Sequence, residues 1–239
     1  TKGAEMKRVY PFVESAAIAS YVYWGGRAGY SASRRTELPT VNASAVAVGD
    51  LNGDGRPDIV FANGGGKESF VYWNHDGAFR AGDRQALPTW SAVACRIADV
   101  NKDGFPDVAF ANFDDQHSHD IDSWIYLGSK DGFRAAHRLS LPGFGVAGIE
   151  VADLDGDGGM DVVFTNKNAG RTGDPVESFI YWGDAAGQFS AARRFAIPTT
   201  GTNSYAAVDF NRDGWVDLYF PGGASAWENV GANGSTLFL

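Results

Sequence analysis

The stretch Asp50–Asp58 reads DLNGDGRPD, and it returns as DVNKDGFPD at Asp99–Asp107, DLDGDGGMD at Asp153–Asp161 and DFNRDGWVD at Asp209–Asp217. Each copy places an oxygen-bearing side chain at its first, third, fifth and ninth positions. These are Asp50, Asn52, Asp54 and Asp58; Asp99, Asn101, Asp103 and Asp107; Asp153, Asp155, Asp157 and Asp161; and Asp209, Asn211, Asp213 and Asp217. Glycine stands sixth in all of them (Gly55, Gly104, Gly158, Gly214), where a tight turn needs a backbone conformation that a side chain resists. Alternate residues of such a turn point inward together. A Ca²⁺ ion asks for this, since it takes roughly six to eight oxygens at about 2.3–2.6 Å. The seventh residue (Arg56, Phe105, Gly159, Trp215) is placed to add its backbone carbonyl. The pattern predicts about four Ca²⁺, one per loop.

An EF-hand opens in the same way but closes on a bidentate Glu at its twelfth place. Here that place holds Phe61, Phe110, Phe164 and Phe220, so each loop leads into a buried strand. Two further elements repeat with it. An aromatic strand ends at Trp24, Trp73, Leu127 and Trp182 (SYVYW, SFVYW, SWIYL, SFIYW), and a Leu/Ile-Pro strand ends at Pro39, Pro88, Pro142 and Pro198. Each unit reads as four antiparallel strands, with the loop between the first and the second. The tyrosine of the third strand precedes the next loop by 27, 27, 27 and 28 residues, whereas it follows its own loop start by 22, 27 and 28. The variation therefore falls in the hairpin between strands two and three.

Repeated four-stranded units of about 50 residues predict an all-β fold, a β-propeller of four-stranded antiparallel blades. The units are expected near 1–40, 41–89, 90–142, 143–199 and 200–239, forming a single domain of five blades. The first of these is three-stranded and lacks a loop, its strands being Lys7 to Val13, the aromatic strand and the Leu-Pro strand. In the last, Leu218–Phe220 and Ser225–Asn229 are expected as second and third strands. The four loops with their flanking strands resemble the FG-GAP and VCBS-type repeats of calcium-binding propellers, such as integrin α-subunit heads, fungal lectins and secreted bacterial proteins. The resemblance covers the chain from about Met6 onward; its loop motif is specific for the fold and says little about the ligand.

Composition narrows the partners. The 239 residues carry 20 basic and 29 acidic side chains, a net charge of −9, which argues against nucleic acid. Thirteen of the acids lie in the loops, and four Ca²⁺ would bring −9 to about −1. A single cysteine, Cys95, excludes an internal disulfide framework; it stands where equivalent strands have Val46 and Ile149, which predicts a buried thiol. No run is long enough for a membrane span. Loops of this kind suit millimolar calcium, so an extracellular or periplasmic location is expected, and the start at Thr1 suggests a processed protein or an excised segment.

The ligand is expected on the face opposite the loops, where the variable hairpins and the fourth-to-first connections lie. The hairpins open with Asn63, Asn112 and Asn166 and close with Glu68, Asp122 and Glu177, each followed by serine. Those side chains can accept hydrogen bonds from sugar hydroxyls or hold the turn itself. The connections carry Thr40, Trp90, Phe144 and Thr199, of which Trp90 and Phe144 offer rings to the apolar face of a sugar. The third-strand aromatics are expected in the core. The hairpin Asp114–Asp122 holds His117 and His119 among carboxylates, a transition-metal or acid–base candidate and equally a solvated loop. A non-catalytic module binding glycan or an extracellular protein is the leading reading. Its alternatives are a calcium-dependent polysaccharide lyase and an adhesion segment that belongs to a larger protein or self-associates.

Overall fold

The computed structural model describes residues 18–167, 176–199 and 201–221, and the backbone of 236–238. It is all-β. An N-terminal pair, β1 (Ile18–Tyr23) and β2 (Arg35–Thr40), is followed by a first blade of β3 (Ala43–Gly49), β4 (Asp58–Asn63), β5 (Glu68–His75) and β6 (Ala78–Pro88). The second blade holds β7 (Ala92–Ala98), β8 (Asp107–Asn112), β9 (Asp120–Tyr126) and β10 (Arg138–Phe144). The third holds β11 (Val146–Ala152), β12 (Asp161–Asn166), β13 (Ser178–Tyr181) and β14 (Arg194–Ile197), with one 3-10 turn at Ala191–Arg193. The fourth is β15 (Ala206–Val208), β16 (Asp217–Phe220) and β17 (Thr236–Phe238). Each sheet is an antiparallel meander in chain order, the propeller-blade arrangement expected from the repeat.

The ends differ from the expectation in detail. The strand beside β16 is 236–238, pairing Leu218 with Phe238. The stretches expected as strands at 7–13 and 225–229 lie outside the described residues.

Alternation along the strands decides which blade touches which. Ala45, Ala47, Val60 and Val71 of the first blade pack on Cys95, Ile97, Phe110 and Tyr126 of the second. The same contact joins the second blade to the third, through Ala109 and Ile125 against Ile149, Phe164 and Tyr181. The aromatics of β5, β9 and β13 are thus core residues, as expected, whereas Tyr21 and Tyr23 of β1 are 44% and 45% exposed. Three of the third-strand tyrosines also donate their hydroxyl protons backward to the unit before: Tyr72 to the Pro39 carbonyl, Tyr126 to Pro88 and Tyr181 to Pro142, all at 2.5 Å. The repeated proline is therefore an inter-blade acceptor as well as a strand end. Arg84, Arg138 and Arg194 lie over Phe70, Trp124 and Phe179 at 4.1, 3.7 and 4.1 Å, covering that junction.

A second lock sits at the hairpin between strands three and four. Phe79 stacks on Trp24, and Phe133 on Trp73, with ring centroids 6.1 Å apart in each case. Glycine two residues before Phe189 allows the third hairpin its close approach: a Cβ on Gly187 would lie 2.4 Å from the Val100 carbonyl oxygen. Between the inner strands, Arg96 pairs with Glu150 at 3.5 Å, and the Tyr205 hydroxyl donates to the same carboxylate at 2.6 Å, joining three blades.

Cys95 occupies the buried place expected of it, and burial pushes its thiol up to about 12. Native protein should leave Cys95 unmodified by a thiol-specific disulfide reagent at neutral pH, and denaturant should release one equivalent. Rapid labelling of the folded chain would contradict this placement.

Candidate metal centre

The loops turn as the spacing predicts, with one addition. The sixth-place glycines have φ between 82° and 96°, and the fourth place is left-handed as well: Gly53, Lys102, Gly156 and Arg212 at 74°, 56°, 71° and 63°. Two left-handed residues bend the chain around the side chain of the first aspartate. Asp50 accepts the Gly53 and Gly55 N–H groups at 2.8 Å and that of Asp54 at 3.1 Å. Asp99 and Asp209 accept from their fifth and sixth residues in the same way. These backbone donors hold the Asp50 carboxyl below the usual carboxylate range, and it is ionised at neutral pH. The third-place oxygen accepts the fifth-place N–H (Asn52, Asn101, Asp155, Asn211), and the fifth-place oxygen accepts the seventh-place N–H of Arg56, Phe105, Gly159 and Trp215.

The ninth-place aspartate proves to be a clamp. Asp58 accepts Leu51 N–H on one oxygen and Asn74 N–H on the other, at 3.0 and 2.8 Å. Asp107 bridges Val100 and Gly128, and Asp161 bridges Leu154 and Gly183, at 2.7–2.9 Å. In these three loops it therefore ties the start of the loop to the end of the third strand, and in the fourth Asp217 accepts the Phe210 N–H. Burial raises the pKa of all three against those hydrogen bonds, that of Asp107 to about 6. An adjacent cation would favour their ionised form.

Whether the residues suit Ca²⁺ is best read in the third loop. Asp153, Asp155 and Asp161 each bring an oxygen within 4.8 Å of the others, the span available to ligands about 2.4 Å from one ion. Asp153 Oδ1 is buried and has no hydrogen-bond partner, whereas its counterparts in the other loops take the fifth-place N–H. A buried, unsatisfied carboxylate oxygen costs free energy unless a cation meets it. The donor set is oxygen throughout, as a hard cation requires. In the other three copies the first, third and fifth oxygens are exposed and held by loop amides. Successive loops are neighbours: Lys102 Nζ would lie 3.4 Å from a Cβ on Gly158, and the Trp215 ring 3.5 Å from one on Gly156.

The residues expected to meet a ligand are placed differently. Asn63, Asn112 and Asn166 are fully buried. Their carbonyls accept the N–H of Val41, Trp90 and Phe144, and their amides donate to the carbonyls of Glu68, Asp122 and Glu177. They tie the hairpin to the preceding connection, and at 0% exposure they present no surface to a ligand. Phe144 lies in β10 opposite Asp120 rather than in a free connection, edge-on to Phe179 at 5.7 Å. Trp90 is half-buried against the core between the first two blades, with Lys67 Nζ 5.1 Å from its ring. Glu68 and Glu177 are exposed and Asp122 is half-buried. Thr40 and Thr199 are buried, bonded to Ser20 and Ser178. In the histidine hairpin, His119 Nδ1 meets the Phe113 carbonyl at 2.9 Å and Asp115 accepts the N–H groups of His117 and Ser118, so these groups shape the turn.

One open groove on this side was not anticipated. It measures about 260 Å³ and is lined by Val41, Gly66, Lys67, Glu68, Phe70 and Pro88. Its floor is fixed by backbone bonds from Gly64 to Asn42, Gly65 to Val41, Thr89 to Lys67 and Ser91 to Gly66. A Cβ on Gly64 would stand 2.4 Å from Ser44 Oγ, so the run of three glycines is what lets the hairpin lie so close. That run was the sequence signal for it.

Blades of antiparallel strands, each opened by an aspartate-rich loop, define a bladed β-repeat protein. The FG-GAP-like repeat profile matches residues 50–110, 99–164 and 166–220, and the chain belongs to that family. No curated protein matches the chain. Forty-nine chains of solved structures do match. One is the crystal structure of the V. cholerae biofilm matrix protein Bap1, 18% identical over 87% of this chain and 31% of that one, with a TM-score of 0.47. This chain thus spans about a third of that protein's length. Among the described residues no helix is long and apolar enough to cross a membrane.

Proposed function

We propose that this chain is a calcium-stabilised recognition module that works outside the cytoplasm by binding a glycan or a protein, without catalysis. The carrying observation is the division of labour between its two sides. Four aspartate-rich loops lie on one side, and in the third of them three carboxylates converge, one with a buried oxygen lacking any partner. The other side bears a groove whose floor is held by backbone hydrogen bonds and whose lining includes apolar Val41 and Pro88 and charged Lys67 and Glu68. A rigid floor loses little entropy on binding, and an apolar wall beside charged acceptors and donors suits a sugar ring or a peptide turn. Of the residues expected from the sequence, Glu68 lines this groove and Trp90 lies beside it, beneath the Lys67 ammonium; Asp122 and Glu177 stand at the corresponding hairpins of other blades.

A glycan array with calcium present, repeated in chelator, tests the reading. Binding should appear with calcium, weaken at least tenfold in Lys67→Ala or Glu68→Ala, and leave the melting temperature of those variants unchanged. Glycan or partner binding that persists undiminished in the double variant would remove the groove from the proposal.

A further inference from the structure

The groove lies where the other blades carry a ring. The N–H groups of Val41, Trp90 and Phe144 each donate to the side-chain carbonyl of the asparagine that opens the hairpin behind them, so the three residues hold equivalent positions ahead of their blades. Phe144 sets its ring edge-on to Phe179, 5.7 Å away, and Phe179 in turn lies under Arg194 at 4.1 Å. In the first blade Phe70 takes the place of Phe179, under Arg84 at the same 4.1 Å, but Val41 stands where the partner ring would be. Val41 and Phe70 both line the groove. The hairpin beside them is short as well: four residues separate Asn63 from Glu68, whereas nine separate Asn112 from Asp122. A small side chain and a short glycine hairpin thus leave the ring position of this blade open.

We infer that the occupant is an aromatic side chain of a protein partner, which sits on Phe70 between Val41 and Pro88 as Phe144 sits on Phe179. This rests on the groove being the binding site proposed above, and it narrows the partner to protein. At about 260 Å³ the groove has room. An apolar cavity of about 150 Å³ already takes up benzene. A sugar ring suits it less. The carbonyls of Gly66, Lys67 and Pro88 already accept the Ser91 and Thr89 N–H groups and the Tyr126 hydroxyl, and Asn63 is fully buried, so few acceptors remain for hydroxyls that lose their water on binding. Charge sets the neighbour of the ring. The Lys67 ammonium is drawn over Trp90 at 5.1 Å, which leaves the exposed Glu68 carboxylate as the charge facing a ligand, on a chain of net charge −9. A lysine or arginine beside the aromatic complements both.

Titration of the calcium-loaded chain with three capped dipeptides, followed by backbone amide shifts in NMR, tests this. Acetyl-Lys-Trp-amide should bind with shifts at Gly66–Phe70, about tenfold tighter than acetyl-Glu-Trp-amide, which replaces an attraction to Glu68 by a repulsion. Acetyl-Lys-Ala-amide, lacking the ring, should bind weaker than acetyl-Lys-Trp-amide by about tenfold or more. Val41→Trp supplies the ring from within, as Trp90 does in the next blade, and should abolish the shifts with a melting temperature no lower than the parent's. Val41→Phe, after Phe144, gives the same test should the larger ring not fit. No shifts with either tryptophan peptide, or shifts undiminished in both variants, would overturn the inference. Glycan binding lost in Lys67→Ala would then leave the groove as a site for sugar, whereas the absence of both would remove the groove itself.

Discussion

Chelating calcium should lower the melting temperature of this chain by well over 10 °C. On this proposal each loop takes calcium in the folded state only, because two left-handed turns and a clamped ninth residue shape it there. A site at a hundredfold excess of calcium over its Kd contributes about 2.7 kcal/mol. In a chain of this size that is about 5–10 °C for a single site. Four loops joining first and second strands act on all four blades that carry them. Calorimetry in calcium and in EDTA reads the difference directly, and magnesium in place of calcium should restore little, since it resists giving up its waters.

The second large effect separates the clamp from the cradle. Asp107 is buried, and its two oxygens accept the Val100 and Gly128 N–H groups. Asp107→Ala leaves both donors without partners, at a cost of about 1–3 kcal/mol each. We expect about 3–5 kcal/mol of destabilisation in denaturant titration, present in EDTA as well as in calcium. Asp103→Ala, at an exposed fifth position, should instead abolish binding in its loop while leaving the chelated chain nearly as stable as its parent. Equal behaviour of the two variants in EDTA would deny the clamp.

Much of this was legible because repetition averages out local ambiguity. The first, third, fifth and sixth positions of the loops, the strand after each loop and the buried third-strand aromatics all follow from patterns printed four times. The fourth-place left-handed turn was hidden because Lys102 and Arg212 stand where Gly53 and Gly156 would have announced it. The ninth aspartate reads as one more ligand, and its second task was hidden, since spacing cannot show that a carboxylate placed for a cation also accepts two backbone amides. The asparagines were ambiguous for the same reason: an amide that could serve a sugar serves Trp90 N–H and the Asp122 carbonyl equally well. The tyrosine-to-proline bonds and the Trp73–Phe133 stack join different repeats. A repeat read by itself shows its own alternation, not which neighbour its face will meet. The groove is local, yet it needed the backbone to show how closely Gly64 and Gly66 approach Asn42 and Val41.

The central claim is that the loops are calcium sites, and isothermal titration of chelator-stripped protein tests it most directly. The account predicts four Ca²⁺ per chain, falling to three in Asp103→Ala, with elemental analysis of the dialysed protein giving the same count. Absence of binding heat together with metal-free elemental analysis would contradict it.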